Sequence, residues 1–223
     1  MKFCASLVFL WAFGNPRQSF AGETSAPQLI TDTVAAMGTK LQVMIYTHDI
    51  QGAKEAVNTA LSEMQRLEGL LSEWLSHSDV SRLNSAAGSY PVKVSPETFE
   101  VLKRAKDVST LTKGAFSVTW ATLASVWGDF NPLSSNHLLP KPERVKEKLP
   151  LVNDQLLDLD AVAQTAYLQR RGMRVGLGAI AKGYAIDRAL AILYRRGFKD
   201  ILVFAGGDIV ASGSKGEQPW ILG

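Results

Sequence analysis

The residues best suited to chemistry lie in Gly176-Leu177-Gly178-Ala179-Ile180-Ala181-Lys182-Gly183. Glycines and alanines at this density let a ligand approach the main chain closely. The helix that follows adds unpaired N–H groups and the positive end of its dipole. Lys182 falls in that helix's first turn, where a cation is mildly unfavourable unless an anion sits beside it. The combination fits a phosphate or pyrophosphate site, and it equally fits tight packing of a helix on a sheet with a solvated lysine. The spacing is not that of a Walker A loop, and no dinucleotide-type Gly-x-Gly-x-x-Gly follows a strand.

Thr112-Lys113-Gly114-Ala115-Phe116-Ser117-Val118-Thr119 sets small residues and hydroxyls around an aromatic. Such a stretch can present backbone groups to a flat ring, or it can be a helix exit turning into a core strand. Trp74 and Trp127 pose the same choice between core and ligand stacking; Trp74 lies in a polar loop, where stacking on a ring gains ground. His48, His77 and His137 are scattered through polar segments without metal-ligand spacing and read as surface residues. Nothing has the pattern of a Ser-His-Asp or Cys-His nucleophile.

These residues need elements to position them. Lys40–Tyr46 alternates as a strand, with Leu41, Val43 and Ile45 on one face. From about Gly52 the period changes: Ala53, Val57, Ala60, Leu61, Met64, Leu67 and Leu71 form one stripe on a long helix. Residues 72–88 read as polar and irregular, and Tyr90–Val94 as a short edge strand. Ser95-Pro96-Glu97 opens a helix with a hydroxyl cap, a proline at its first position and a carboxylate in the first turn. A loop spans Gly128 to Pro142, followed by a short helix over Pro142–Leu149 and strands over Leu156–Leu159 and Thr165–Leu168. A helix over Ala181–Arg196 ends at Gly197, Ile201–Phe204 is a buried strand, and Gly206-Gly207-Asp208 turns the chain. Irregular alternation of helix and strand points to an α+β domain rather than a doubly wound parallel sheet.

At 223 residues, with 46% hydrophobic and 20% charged, the chain has ordinary globular composition. Residues 1–21 read as a signal peptide: Lys2, an apolar run from Phe3 to Phe13 too short to span a bilayer, a Gly14-Asn15-Pro16 break, and Ser19-Phe20-Ala21 for cleavage. Without Lys2 and Arg17 the net charge of +3 falls to +1, which is no footprint for nucleic acid. Cys4 is the sole cysteine, so the mature chain has no disulfide or thiol chemistry. An exported, periplasmic protein is expected.

Taken in order, the motifs resemble those of the FAD:protein FMN transferases, the ApbE-type flavin transferases. Met37-Gly38-Thr39 is similar to the family's opening Met-Gly-Thr, and Ser78-Asp79-Val80-Ser81-Arg82-Leu83-Asn84 to Ser-x-Leu-x-x-Leu-Asn. Gly114–Thr119 with Trp127-Gly128 resembles Gly-Ala-Phe-Asp-Val-Thr followed by Trp-Gly-Phe. Gly176–Arg188 resembles Asp-Leu-Gly-Gly-Ile-Ala-Lys-Gly-Tyr-Ala-Val-Asp-Arg, and Gly206-Gly207-Asp208-Ile209 the Gly-Gly-Asp-Ile turn, with Trp220 beyond it.

The resemblance implies mixed, largely antiparallel sheets packed with helices over residues 22–223. It implies an exported enzyme, at the inner membrane or free in the periplasm. The enzyme would use Mg2+ and move FMN from FAD to a threonine of a membrane-associated or periplasmic redox protein through a phosphoester. Carried over by position, Met37, Trp74, Ala115, Phe116, Ser117, Gly176 and Lys182 would hold FAD, and the Ala179 carbonyl the metal. Leu177–Lys182 would then curl about the diphosphate, with a cavity opening toward Trp74 and Phe116. The chain departs from the pattern where Ser117 and Gly176 each replace an aspartate. It also ends at Gly223, before the family's histidine-containing segment and its metal-binding aspartate and threonine. A fragment or a shortened member is therefore expected, and a non-catalytic FAD- or partner-binding homologue is the alternative to the enzyme.

Overall fold

The computed structural model describes residues 26–127 and 140–222. The expected signal peptide and residues 128–139 of the expected loop lie outside the described residues. Among those described, no helix is long and apolar enough to cross a membrane.

The strand Gln28–Ala36 (β1) pairs antiparallel with Thr39–Thr47 (β2). The long helix Ile50–Leu71 (α1) follows, then a short helix Asp79–Ser85 (α2), the two-residue strand Val92–Lys93 (β3) and the helix Pro96–Leu111 (α3). A 3-10 helix over Val118–Leu123 runs into Ala124–Trp127 (α4), and Pro142–Lys148 forms α5. Strands Leu157–Asp160 (β4) and Thr165–Leu168 (β5) precede the helix Gly178–Arg195 (α6) and the hairpin Ile201–Ala205 (β6) with Asp208–Ser212 (β7).

The strands form a four-stranded sheet in the order β1-β2-β6-β7 and a three-stranded sheet in the order β3-β5-β4, every pair antiparallel. Leu41, Val43 and Ile45 of β2 and Ile201, Val203 and Ala205 of β6 are fully buried. They meet the apolar stripes of α1 (Ala53 to Leu71) and α6 (Ala181 to Leu193), so two helices lie on one face of the larger sheet. This is the α+β architecture the element order predicts.

Local chemistry sets the boundaries. Asp49 caps α1 by accepting the Gly52 N–H at 2.9 Å, just ahead of the stripe that begins at Ala53. Ser95 caps α3 through the Thr98 N–H, with Pro96 at the first position and Glu97 in the first turn, as its sequence predicts. Gly197 ends α6 in the left-handed conformation at φ +87.

Several elements differ from the sequence reading, among them α6, which begins at Gly178 rather than Ala181 and so places Lys182 past its first turn. β1 was not expected, because Asp32 breaks the inward row of Ile30, Val34 and Ala36 and most of this edge strand is exposed. Part of the stretch expected to be irregular is α2. Instead of a core strand, a 3-10 helix follows Ser117, because the Asp154 carboxylate accepts both the Val118 and Thr119 N–H groups, at 3.1 Å each.

Candidate functional site

The β1–β2 hairpin closes on Met37 and Gly38, both with positive φ (54 and 68), the signature of a type I′ turn. Glycine adopts this freely; a methionine does so at a cost. Glu68, near the end of α1, holds it there: its Oε1 accepts the Met37 N–H at 2.6 Å. Beside this turn, a Cβ on Gly206 (φ +59) would fall 2.5 Å from the Thr39 hydroxyl. The Met37-Gly38-Thr39 and Gly206-Gly207-Asp208 turns are thus packed on each other at one end of the sheet.

The loop after α1 carries Trp74, and the segment from Ser78 to Asn84 clamps it. Ser78 donates its hydroxyl to the Ser72 carbonyl at 2.5 Å and caps α2 through the Ser81 N–H. Ser81 donates to the Glu73 carbonyl at 3.0 Å. Asp79, almost fully buried, accepts the Ser95 N–H at 2.7 Å and the Thr98 hydroxyl at 2.8 Å, and pairs with Arg82. Burial pushes its carboxyl up, but the hydrogen bonds from Ser95, Thr98 and Arg82 outweigh it and leave it below the usual carboxylate range.

Asn84 reaches across 91 residues to Val175, accepting its N–H at 2.7 Å and donating to its carbonyl at 2.9 Å, as a neighbouring strand would. On its other side the same segment is held by Thr122, whose hydroxyl accepts the Arg174 N–H at 2.9 Å, and by the Val118 carbonyl, which accepts the Gly176 N–H at 2.9 Å. This bracket delivers the chain to the start of α6. Leu177 stands at the N-cap without a side-chain hydrogen bond, and the Lys182 ammonium folds back onto the Gly178 carbonyl at 2.9 Å. The first turn of an 18-residue helix is therefore open to a ligand.

These pieces enclose a cavity of about 330 Å³, mostly apolar, lined by the Met37–Gly38 turn, Glu68, the stretch from Leu71 to Leu75, and Leu177, Gly178, Ala181 and Lys182 of the α6 start. The volume is at the lower end for small-molecule sites. Met37, Trp74 and Lys182, expected together from the sequence, face this one space. Trp74 is 75% exposed at its mouth, a ring available for stacking rather than a core residue. Gly176 is buried just behind, where a Cβ would meet Glu73 Oε1 at 2.9 Å and the Ala121 methyl at 3.0 Å.

Other expected residues lie elsewhere. Ala115, Phe116 and Ser117 do not line the cavity, which opens toward Trp74 but not toward Phe116 as the sequence reading had it. Phe116 is half-buried against the core, and Ser117 donates to Asp154 Oδ1 at 2.6 Å beside a separate cleft. Ala179 lines a groove between α3 and α6 with Arg104, Asp107 and Tyr184. Across that groove the Tyr184 hydroxyl donates to Glu100 at 2.9 Å; burial and then the carboxylate push the phenol up to about 12. Sequence reasoning missed Glu68, Glu73 and Asn84. For Asn84 the signal was its place at the end of the Ser78 motif, and for Glu73 its place beside Trp74.

Among the described residues that line the cavity there is neither a histidine nor a cysteine. Among the described residues, no group of three or more His, Cys, Asp or Glu side chains is placed to hold a metal ion. The Ala179 carbonyl sits inside the first helical turn, and a hard cation takes about six oxygens. The described residues do not by themselves make up a magnesium site.

Comparison with known proteins agrees with this geometry. The chain is 31% identical over 189 residues to a protein named FAD:protein FMN transferase from Klebsiella pneumoniae, covering 84% of this chain and 55% of that protein. It is likewise 31% identical over 188 residues to one of the same name from Treponema pallidum, covering 80% and 50%. The chain thus spans about half the length of these curated relatives. Its fold matches the flavin transferase ApbE from Vibrio cholerae with a TM-score of 0.78 at 25% identity, over 87% of this chain and 62% of that one. It matches an ApbE protein from Thermotoga maritima with a TM-score of 0.78 at 28% identity, over 88% and 63%. The model of the ApbE family matches residues 37–223. With a cavity assembled from its ordered motifs and a family match that runs from the Met37 turn to the last residue, the chain belongs to the ApbE family.

Proposed function

We propose that this chain carries the flavin-nucleotide-holding part of an FAD:protein FMN transferase. FMN passes from FAD to a threonine of a membrane-associated or periplasmic redox protein. The threonine oxygen bonds to the FMN phosphorus and loses its proton to solvent as the pyrophosphate bond breaks and AMP departs. The observation that carries this reading is the convergence of Met37, Trp74 and Lys182 on one cavity at the open N-terminus of α6. Trp74 offers a face for the flat ring, and the first turn of α6 with Lys182 offers positive charge for the diphosphate. Magnesium neutralises charge on a transferring phosphoryl group in chemistry of this type. The Ala179 carbonyl is the ligand the resemblance assigns here, and further oxygens would come from beyond the described residues. Export to the periplasm, at or near the inner membrane, belongs to the same proposal and rests on residues 1–21.

A second reading is a homologue that binds FAD or a partner without transferring FMN. Two observations favour it: Gly176 has no side chain, and the Ser117 hydroxyl is engaged by Asp154 away from the cavity. One experiment separates the two. The chain is incubated with FAD, magnesium and a threonine-bearing acceptor domain, and the acceptor is run denatured and inspected for flavin fluorescence. Fluorescent acceptor supports transfer; FAD binding without labelling supports the second reading. Absence of any flavin binding rejects transfer and the FAD-binding form of the second reading alike.

A further inference from the structure

Glu73 differs from every other acidic group around the site. Glu68 is occupied by the Met37 N–H, Asp79 by Ser95, Thr98 and Arg82, and Asp154 by Ser117, Val118 and Thr119. Among the described residues none donates a hydrogen bond to the Glu73 carboxylate, and no cation lies within ion-pair distance. It is half-buried all the same, standing where the apolar cavity meets a polar cleft of about 470 Å³ lined by Ser76, Ser81, Asn84 and Arg174. Burial pushes its carboxyl up, with Arg174 opposing in part. A carboxylate so placed is costly to the empty protein and acquires a purpose only when a donor arrives.

Gly176 makes the room. A Cβ there would lie 2.9 and 3.2 Å from the two Glu73 oxygens, so the carboxylate at the end of that flexible side chain would have to shift to admit it. A side chain at 176 and the Glu73 carboxylate would compete for one space. The bracket of Asn84, Thr122 and Val118 fixes the backbone at Gly176 from both sides, so it is the Glu73 side chain that would have to give way.

We propose that Glu73 is the acceptor that orients the nucleotide in the cavity, receiving a neutral N–H or O–H donor of the flavin nucleotide. This rests on the flavin reading above and deepens it. The carboxylate repels phosphate, so the diphosphate lies toward Lys182 and the first turn of α6, while a sugar hydroxyl, ring imide or exocyclic amine comes to Glu73. Glu73 and Gly176 act as one unit, a carboxylate and the gap that admits it.

The test is equilibrium binding of FAD, FMN and ADP to the full chain as wild type, Glu73→Ala, Glu73→Gln and the double variant Glu73→Ala/Gly176→Asp. Loss of a charge-assisted hydrogen bond weakens FAD binding by about tenfold to a hundredfold in Glu73→Ala. Glu73→Gln retains one acceptor oxygen and falls between. The double variant returns a carboxylate to the same space from the other side and recovers most of the affinity, which a merely structural role for Glu73 would not produce. Weakening confined to FMN places the donor on the flavin half, and weakening confined to ADP on the adenosine half; both support the proposal. Thermal melts of the unliganded variants check folding, with Glu73→Gln at least as stable as wild type. Unchanged affinity of Glu73→Ala for all three ligands overturns the role of Glu73 while leaving the flavin site intact. Failure of the wild type to bind any of them overturns the flavin reading, and this inference with it.

Discussion

Asn84→Ala tests whether a side chain in one motif holds another motif in place. The wild-type amide makes two hydrogen bonds with Val175, a fully buried residue 91 positions away. Truncation leaves a buried N–H and a buried carbonyl without partners, each worth about 1–3 kcal/mol. Asn84 also lines the polar cleft, where water can replace part of what is lost, so the low end of each range applies. The expected cost is about 2–3 kcal/mol, lowering a urea midpoint by about 1 M. Asn84→Asp sharpens the test. Ionised, aspartate still accepts the Val175 N–H but turns a second oxygen toward the Val175 carbonyl; protonated, it donates to that carbonyl again. Its stability relative to wild type should therefore recover as pH falls through the carboxyl range. Urea titrations at pH 7 and pH 4, with FAD affinity measured alongside, read both effects. A midpoint for Asn84→Ala within 0.2 M of wild type, or an Asn84→Asp deficit independent of pH, would refute the reasoning.

Further predictions follow from the same geometry. Trp74→Ala, at a position 75% exposed, should change stability by less than about 0.5 kcal/mol yet weaken FAD binding about fivefold through lost stacking; chemical denaturation and ligand titration separate the two. Asp79 has a lowered folded-state pKa, so its contribution is present above the ordinary carboxylate value of about 3.9 and lost as pH falls through the folded value. Asp79→Asn should cost about 2 kcal/mol at pH 7, and its deficit against wild type should shrink below about pH 4 in urea melts. Gly206→Ala combines a left-handed backbone with a Cβ 2.5 Å from the stiff Thr39 side chain and should destabilise by about 2 kcal/mol or more. Gly183→Ala, in the interior of α6 with open space at its Cβ, should instead stabilise by about 1 kcal/mol, and differential scanning calorimetry compares the pair.

Much of the fold could be read from local pattern. The stripe on α1, the alternation of β2, the Ser95-Pro96-Glu97 start of α3 and the glycine end of α6 all appear where periodicity and capping chemistry put them. Such signals depend on residues within a turn or two of one another. β1 escaped because an edge strand is stabilised by pairing, and its exposed face and Asp32 erase the period of two. Helix α2 escaped because seven residues carry too little periodicity, and what fixes it is Ser78 bound to the loop behind it and Asp79 bound to the helix ahead.

The site divides along the same line. Residue type and order alone determined that a stretch of small residues leads into a helix with Lys182 near its start, that Trp74 sits in a polar loop, and that the motifs resemble one family. Those are properties of neighbouring residues. Only the tertiary structure decided that Met37, Trp74 and Lys182 share a cavity, that Ala115–Ser117 stand outside it, and that Asn84 ties Val175 in place. It alone set the Glu73 carboxylate over Gly176. Each of these depends on where two distant stretches of backbone come to rest, which the packing of α1 and α6 on the sheet sets and no local spacing encodes.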